Sequence, residues 1–584
     1  MDFCCTIQIR ASILKPLSDQ VVPLARQFPK LLVGTALSAL LALTTSAALS
    51  QENAEQMRDR AFQGAQWVMA TQAARAVAQV GARAAAGDGP LADNIRARQG
   101  VESDLTALRR QLAGPSTLDA DQVDTMQAQA VALARDLDKL DADIRTHFPE
   151  YAEIANPQPL SFDQTRAFLG KGEALVLFLS GRNSTYVWAV SASGAAWHRA
   201  DLSAEHLSDM IRTLRADLDP TGPARAAAPL VAAAPSPRGP SFDATTAYQL
   251  YRDLLAPVMG VLEGADHVFV VKDGPLSSLP LAVLLTNAAD DNTLTGAALQ
   301  QADWLVRRFA LTTLPGVSSL TSIRAHDRPR QTSAGFAGFG DPVFAPQTLK
   351  TAEHAPQQTV ASRTISAFFD ASGTRTDAIH ALSPLPGTAR ELRQIARLFP
   401  KDQAQVIIGA DATEAAVKST DLSGTAIVSF ATHGLVTGDI SGLAEPALAF
   451  TPPSNASDLD DGLLTASEAS ALGLNADWVI LSACNTAAGD GTPGAEGLSG
   501  LARAFLFAGA QSILVSHWPV RDDVAATLTA ETLRQLNDQP GLSRSEALRR
   551  AMLGVMMDGS DPTLAHPSAW APFVVVGEGG ALRQ

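Results

Sequence analysis

Short apolar runs alternate with amphipathic stretches along most of this chain, and no other feature constrains its fold as tightly. The runs Ala174-Leu175-Val176-Leu177-Phe178-Leu179, His267-Val268-Phe269-Val270-Val271, Gln405-Val406-Ile407-Ile408-Gly409, Trp478-Val479-Ile480-Leu481 and Ser512-Ile513-Leu514-Val515-Ser516 are too short for helices and show little polar alternation. Strands of that kind are buried on both faces, which requires helices on each side of a mostly parallel sheet. The expected fold class is therefore α/β. Thr185-Tyr186-Val187-Trp188-Ala189-Val190 is the expected hairpin partner of the first run, and Phe573-Val574-Val575-Val576-Gly577 the closing strand.

A chain of 584 residues exceeds one hydrophobic core, and composition marks its divisions. Residues 1–50 carry a positive flank, the apolar stretch Leu31-Leu32-Val33 through Leu43, and the small residues Ser46, Ala47 and Ala48. These are the parts of a signal peptide cleaved after Ala48, or of a membrane anchor if it is retained. An exported, periplasmic or membrane-anchored location is expected. Residues 51–149 read as three alanine-rich helices, a docking domain with no fixed repeat period. Residues 160–220 form a small strand-rich region, and 221–244 a proline- and alanine-rich linker. The α/β unit then runs over 245–577, interrupted by a polar insertion from Pro346 to Ala381.

Composition also excludes functions. A net charge of −15 argues against nucleic-acid binding, which needs clustered Lys and Arg on phosphate. Three cysteines, two of them at positions 4 and 5, build neither a disulfide framework nor a zinc site, and the ten histidines are scattered. No metal and no cofactor is expected. Gly335-Phe336-Ala337-Gly338-Phe339-Gly340 lacks the following Lys-Ser or Lys-Thr of a phosphate-binding loop.

Chemistry concentrates at two strand ends. Cys484 follows the run at 478–483 and opens the turn Asn485-Thr486-Ala487-Ala488-Gly489. His433 follows the run Ala426-Ile427-Val428-Ser429-Phe430-Ala431 and precedes Gly434. A thiol and an imidazole at the carboxyl ends of strands can meet above a parallel sheet as nucleophile and base. A lone cysteine or histidine at a strand end is more often packed core, and it is the surrounding blocks that shift the balance.

Those blocks resemble a known family. Phe339-Gly340-Asp341-Pro342, Ala431-Thr432-His433-Gly434, Leu481-Ser482-Ala483-Cys484-Asn485-Thr486, Glu496-Gly497-Leu498, Phe505 through Ala510, Ser516-His517-Trp518-Pro519-Val520 and Trp570-Ala571-Pro572-Phe573 are similar to the CHAT domain. That family consists of caspase-like cysteine peptidase domains related to separase, gingipain and caspase, often found behind tetratricopeptide repeats. The resemblance covers roughly residues 245–577 and implies a cysteine endopeptidase with a Cys484–His433 dyad acting on a protein substrate. The backbone N–H groups of Gly434 and Cys484 are the expected oxyanion hole. Relatives that cleave after basic residues imply a pocket carboxylate, for which Asp490, Glu496, Asp522 and Asp523 are candidates. His517, the rival base, and Trp518 are assigned to substrate binding or packing. Asp439, Glu445, Asp460 and Asp461, all after His433, are read as solvated surface rather than orienting acids. The helices at 51–149 are the expected docking site of an activating protein partner. The alternatives are a catalytically silent scaffold, in which the helical domain does the work, and another thiol-dependent acyl transferase.

Overall fold

The computed structural model describes residues 55–69, isolated positions between 94 and 112, 120–147, 159–219, 240–324, 334–344, 375–435, most of 443–482, and 500–580. The chain separates into two units, 1–60 and 61–584. All that is described of the first, residues 55–60, is helical. The signal or anchor expected at 1–50 and nearly all of the linker lie outside the described residues. No described helix is long and apolar enough to cross a membrane.

The second unit is built on one sheet. Its strands are β1 (Glu173–Ser180), β2 (Thr185–Ser191), β3 (Gly194–Ala200), β5 (His267–Val271), β7 (Ala310–Thr313), β8 (Phe336–Pro342), β9 (Ala404–Gly409), β10 (Ile427–Ala431), β14 (Trp478–Leu481), β15 (Ser512–Ser516) and β16 (Phe573–Gly577). A short ladder joins β4 (Ser241–Asp243) to β6 (Thr293–Thr295), and a three-stranded sheet joins β11 (Gly434–Leu435), β12 (Ala447–Ala449) and β13 (Leu463–Thr465). The eleven strands of the main sheet run in the order β3-β2-β1-β5-β7-β16-β15-β14-β10-β8-β9. The expected α/β architecture is the one found.

The direction of the strands adds something the apolar runs do not carry. β1, β5, β7 and β16 are mutually parallel, as are β15, β14, β10, β8 and β9. The two blocks meet where β16 pairs antiparallel with β15, Ser516 opposite Phe573 and Ser512 opposite Gly577. The closing strand of the sequence therefore lies in the middle of the sheet.

Burial explains the apolar runs. Every residue of β5, β14 and β15 is buried, while the edge strands β3 and β9 keep half-buried and exposed positions. One face is covered by α2 (Ala204–Leu218), α3 (Pro386–Ala396), α5 (Asp522–Asp538) and α6 (Arg544–Met556), whose apolar stripes join Val176, Val270, Ile480, Leu514 and Val575 in one core. The opposite face of the second block is covered by α4 (Gly500–Ala508), whose Phe505 packs on Phe430 with ring centroids 5.0 Å apart. At its end Gly509 has φ +117°, and a Cβ there would stand 2.1 Å from the Leu474 carbonyl oxygen, so only glycine fits.

The strand-rich region at 160–220 is not a body of its own. β1 pairs with β5, and Glu173 of β1 receives both terminal nitrogens of Arg324 at 2.6 and 2.9 Å, while Arg324 also reaches Glu578 at 3.2 Å. Burial alone would raise the Glu173 pKa, yet His267 and Arg324 hold it well below the usual carboxylate range. The helical residues 61–68 are likewise part of this core: Phe62 stacks on Phe162 at 4.8 Å beside Trp188. Gln66 clamps the backbone of Leu160, donating to its carbonyl at 2.8 Å and accepting from its N–H at 2.9 Å. Gln66→Leu should lower stability by about 2–3 kcal/mol in urea titration, since both backbone groups would stay buried and unpaired. α1 (Ala120–His147) matches the third expected helix; its Ile144 is buried, but Val131 is exposed and outside that apolar face.

Three smaller segments complete the unit. A helical run starts at Ala244, widens to a π-turn at Tyr251–Leu255 and tightens to 3₁₀ at Ala256–Leu262, where Pro257 has no N–H to give. Most of the insertion from Pro346 to Ala381 lies outside the described residues, but its last part is helical at Arg375–His380. The segment Leu443 to Leu464 contributes β12 and the start of β13.

Candidate functional site

The site grows from the end of β10. Its five residues bring the chain up through the sheet, and Thr432 and His433 follow. Gly340 of β8 must be glycine for β10 to end there, because a Cβ would stand 2.7 Å from the Ala431 carbonyl oxygen and 2.8 Å from Leu392. The Thr432 hydroxyl donates to the Ala449 carbonyl, and the Ala449 N–H donates to the His433 carbonyl at 3.0 Å, so β12 fixes the backbone on both sides of the histidine. Gly434 opens β11 opposite Leu448.

The imidazole is 1 % exposed. Phe344 lies against it with ring centroids 5.4 Å apart, and Nε2 stands 2.8 Å from the Ser383 carbonyl oxygen. A carbonyl oxygen accepts and never donates, so Nε2 must carry the proton and Nδ1 keeps its lone pair. The fold thus fixes the tautomer with Nδ1 as the basic nitrogen. A backbone carbonyl orients the ring. Glu445 is occupied instead by the N–H and hydroxyl of Ser467, at 3.0 and 2.7 Å, and Asp461 accepts the Leu463 N–H at 3.0 Å. Asp439 lies outside the described residues.

β14 runs beside β10 in parallel, with Phe430 opposite Leu481, and the Ser482 N–H continues the ladder to the Phe430 carbonyl at 2.9 Å. Cys484 lies two positions further and falls outside the described residues, as do Asp490 and Glu496. Beneath this strand end lies Glu391 of α3, wholly buried, which receives the Ser482 hydroxyl at 3.2 Å and the Thr529 hydroxyl of α5 at 2.9 Å. Glu391→Leu should cost about 1–3 kcal/mol in urea titration, because those hydroxyls lose their carboxyl partner in a dry interior.

The segment 383–388 gathers the remaining pieces. Ser383 holds His433, Thr388 Oγ1 accepts the Asp341 N–H at 2.9 Å, and Gly387 packs so closely on Asp522 that a Cβ would meet the Asp522 Cβ at 2.7 Å. Asp522, half-buried at the start of α5, therefore shares this corner with the histidine's anchor. Asp523 is exposed and paired to Arg521 at 2.7 Å.

His517 and Trp518 are internal. His517 is 2 % exposed, and neither ring nitrogen has a hydrogen-bond partner among the described residues. Burial first, then the cations of Lys272 and Arg215, drive its pKa well below the ordinary histidine value. Such surroundings oppose proton uptake by His517. Trp518 is fully buried, donates its indole N–H to the Ser568 carbonyl at 2.9 Å, and lies under the Arg215 guanidinium at 5.5 Å. The His517 N–H bonds the Pro572 carbonyl at 2.8 Å, so the blocks Ser516–Val520 and Trp570–Phe573 are two sides of one packing contact.

Sequence reading missed Ser383, Phe344 and Glu391. Glu391 was legible: Thr388, Glu391, Leu392 and Ile395 share one face of α3, and all are buried. Ser383 acts through its carbonyl, which leaves no mark in a sequence.

Comparison with known proteins adds the following. The family model of the CHAT domain matches residues 244–578. Tetratricopeptide repeat protein 28 of Mus musculus is 26 % identical over 458 residues, 68 % of this chain and 17 % of that protein. The Homo sapiens protein of the same name is 27 % identical over 379 residues, 58 % of this chain and 13 % of that one. The chain thus spans under a fifth of the length of these curated relatives. Among solved structures, the Arg-specific cysteine proteinase gingipain R is 10 % identical with a TM-score of 0.33, covering 55 % of this chain and 65 % of its own. The Saccharomyces cerevisiae separase–securin complex is 10 % identical with a TM-score of 0.39, covering 83 % and 37 % respectively.

Proposed function

Because this chain belongs to the CHAT domain family through residues 244–578, we propose that it is a cysteine endopeptidase with Cys484 as nucleophile and His433 as base. The observation that carries the proposal is His433 itself, held at the end of β10 with Nε2–H on the Ser383 carbonyl and Nδ1 left basic. Its strand is the parallel neighbour of the one leading to Cys484. With Phe430 opposite Leu481, His433 and Cys484 each follow the paired rung by three positions.

In this mechanism Nδ1 of His433 takes the thiol proton and the thiolate attacks the scissile carbonyl carbon. The N–H groups of Gly434 and Cys484 receive the oxyanion. As the intermediate collapses, His433 returns the proton to the leaving amine, and water then hydrolyses the thioester. Asp490, Glu496 and Asp522 are the carboxylates proposed to receive a basic side chain, while His517 and Trp518, both buried, belong to the packing and not to the substrate pocket. The helices within 51–149 serve an activating protein partner, and residues 31–48 direct export or anchoring.

A peptidyl electrophile reactive toward thiols, carrying Arg at its reactive end, tests the reading. Wild type should be labelled at Cys484, and Cys484→Ala should not react. If wild type stays unlabelled, and the Cys484→Ala chain does all that wild type does, the scaffold reading takes its place.

A further inference from the structure

Between β5, β7, β16 and α6 lies a partly open pocket of about 30 Å³. Its wall is mostly hydrocarbon, with Val270, Leu281, Val306, Leu548, Met552 and Phe573 around it; Lys272, Thr313, Ser545 and Arg549 are its polar side chains, and Arg549 is already paired with Glu546. Lys272 is 8 % exposed and donates to the Leu279 carbonyl at 2.9 Å. An ammonium has three N–H groups, so two remain unspent beside the pocket.

No carboxylate among the described residues neutralises it, because each nearby acid is otherwise engaged. Asp273, next in sequence, accepts the Ser180 N–H at 2.8 Å. Asp219 pairs with Arg215 at 3.3 Å, and Glu546 of α6 pairs with Arg549 at 2.6 Å and Arg550 at 2.8 Å. The other charged or titratable groups turned toward Lys272 are Arg215, His517 and Arg549, all bases. Burial accordingly pulls the amine down to about 7.

We propose that this pocket binds a short-chain aliphatic monocarboxylate of acetate or propionate size, with its carboxylate on the Lys272 ammonium and its alkyl end against Val270, Leu548 and Phe573. Three properties select that class. A single unmatched ammonium calls for a single negative charge. At about 10–15 Å³ per water-sized group the space takes two or three such groups, which fits the one- or two-carbon alkyl end of the acid with its carboxylate at the Lys272 mouth and no longer chain. The apolar wall offers nothing to a phosphate or halide that would have to leave its whole hydration shell, whereas an alkyl group gains from burial.

Binding requires the protonated amine, so affinity is highest below the amine's pKa and falls about tenfold per pH unit above it. Calorimetric titration of the full chain with propionate is the test. Propionate should bind at about pH 6 and at least 30-fold more weakly at about pH 9, roughly the two-unit loss that protonation linkage requires. Each methylene up to the volume limit should tighten binding about fourfold, and hexanoate should bind at least about tenfold more weakly than propionate. Lys272→Met should lose propionate binding, and so should Leu548→Trp, which fills the space, with the urea transition of both variants verifying their fold. Equal competition by chloride or propylamine would overturn the proposal, as would undiminished propionate binding by Lys272→Met. So would the absence of both heat and thermal shift at millimolar propionate.

Discussion

His433→Gln should lower peptide turnover by about 10²–10⁴ while its urea midpoint stays close to that of wild type. The carboxamide can place an N–H on the Ser383 carbonyl, which the imidazole meets at 2.8 Å, and can fill most of the space beside Phe344. What it lacks is a basic nitrogen in the place of Nδ1. His433→Ala loses turnover too, but it also leaves the Ser383 carbonyl without its donor and opens a gap in the core, so it should be less stable by about 1–3 kcal/mol. The pair of variants separates chemistry from packing. If the glutamine variant turned over peptide at the wild-type rate, the base would have to be sought elsewhere. His517 is a poor substitute, given the burial and the two cations that oppose its protonation.

The second large effect concerns stability. Lys272→Met should stabilise the chain by about 4–5 kcal/mol near pH 6 in carboxylate-free buffer, with the gain shrinking toward zero as pH approaches 10.5. The sign follows from protonation. Burial lowers the folded-state pKa of Lys272 from 10.5 to about 7. Between those values the unfolded chain binds more protons than the folded one, so wild-type stability rises with pH across that window. Below about 7 the folded protein bears the whole desolvation cost of a buried ammonium, and methionine removes it. Urea titrations of both proteins at the two ends of the window decide the matter. A variant less stable than wild type at pH 6 would mean that the ammonium already has an anionic partner.

Both predictions draw on side chains that differ in how well a sequence announces them. The strands were legible because β5, β14 and β15 are buried throughout and leave continuous apolar runs. Those runs also implied a mostly parallel sheet, but not where its direction reverses, since a strand reads the same on either side of that junction. Only the pairing of Ser516 with Phe573 shows that β16 sits at the junction of two opposed blocks. The membership of residues 160–220 in the same sheet was hidden for a similar reason, because the bond between β1 and β5 spans the proline-rich stretch that looks like a boundary. At the site, His433 stood out by its place before Gly434. Its anchor did not, because a backbone carbonyl such as that of Ser383 belongs to every residue alike. Lys272 escaped notice because a lysine after an apolar run normally reaches solvent along its stem, and only the turn at Gly274–Ser278 folds the chain back over it.

A sheet whose halves point in opposite senses has two rims where strands terminate, facing away from each other. Loops leaving β10 and β14 lie at one rim, yet the turn leaving β5 is tied to the end of β15, because one Arg215 nitrogen donates to both the Ser278 and the His517 carbonyls, at 3.4 and 2.7 Å. An insertion in the turn after β5 would therefore be felt at the end of β15, so the two halves of the sheet do not vary independently there.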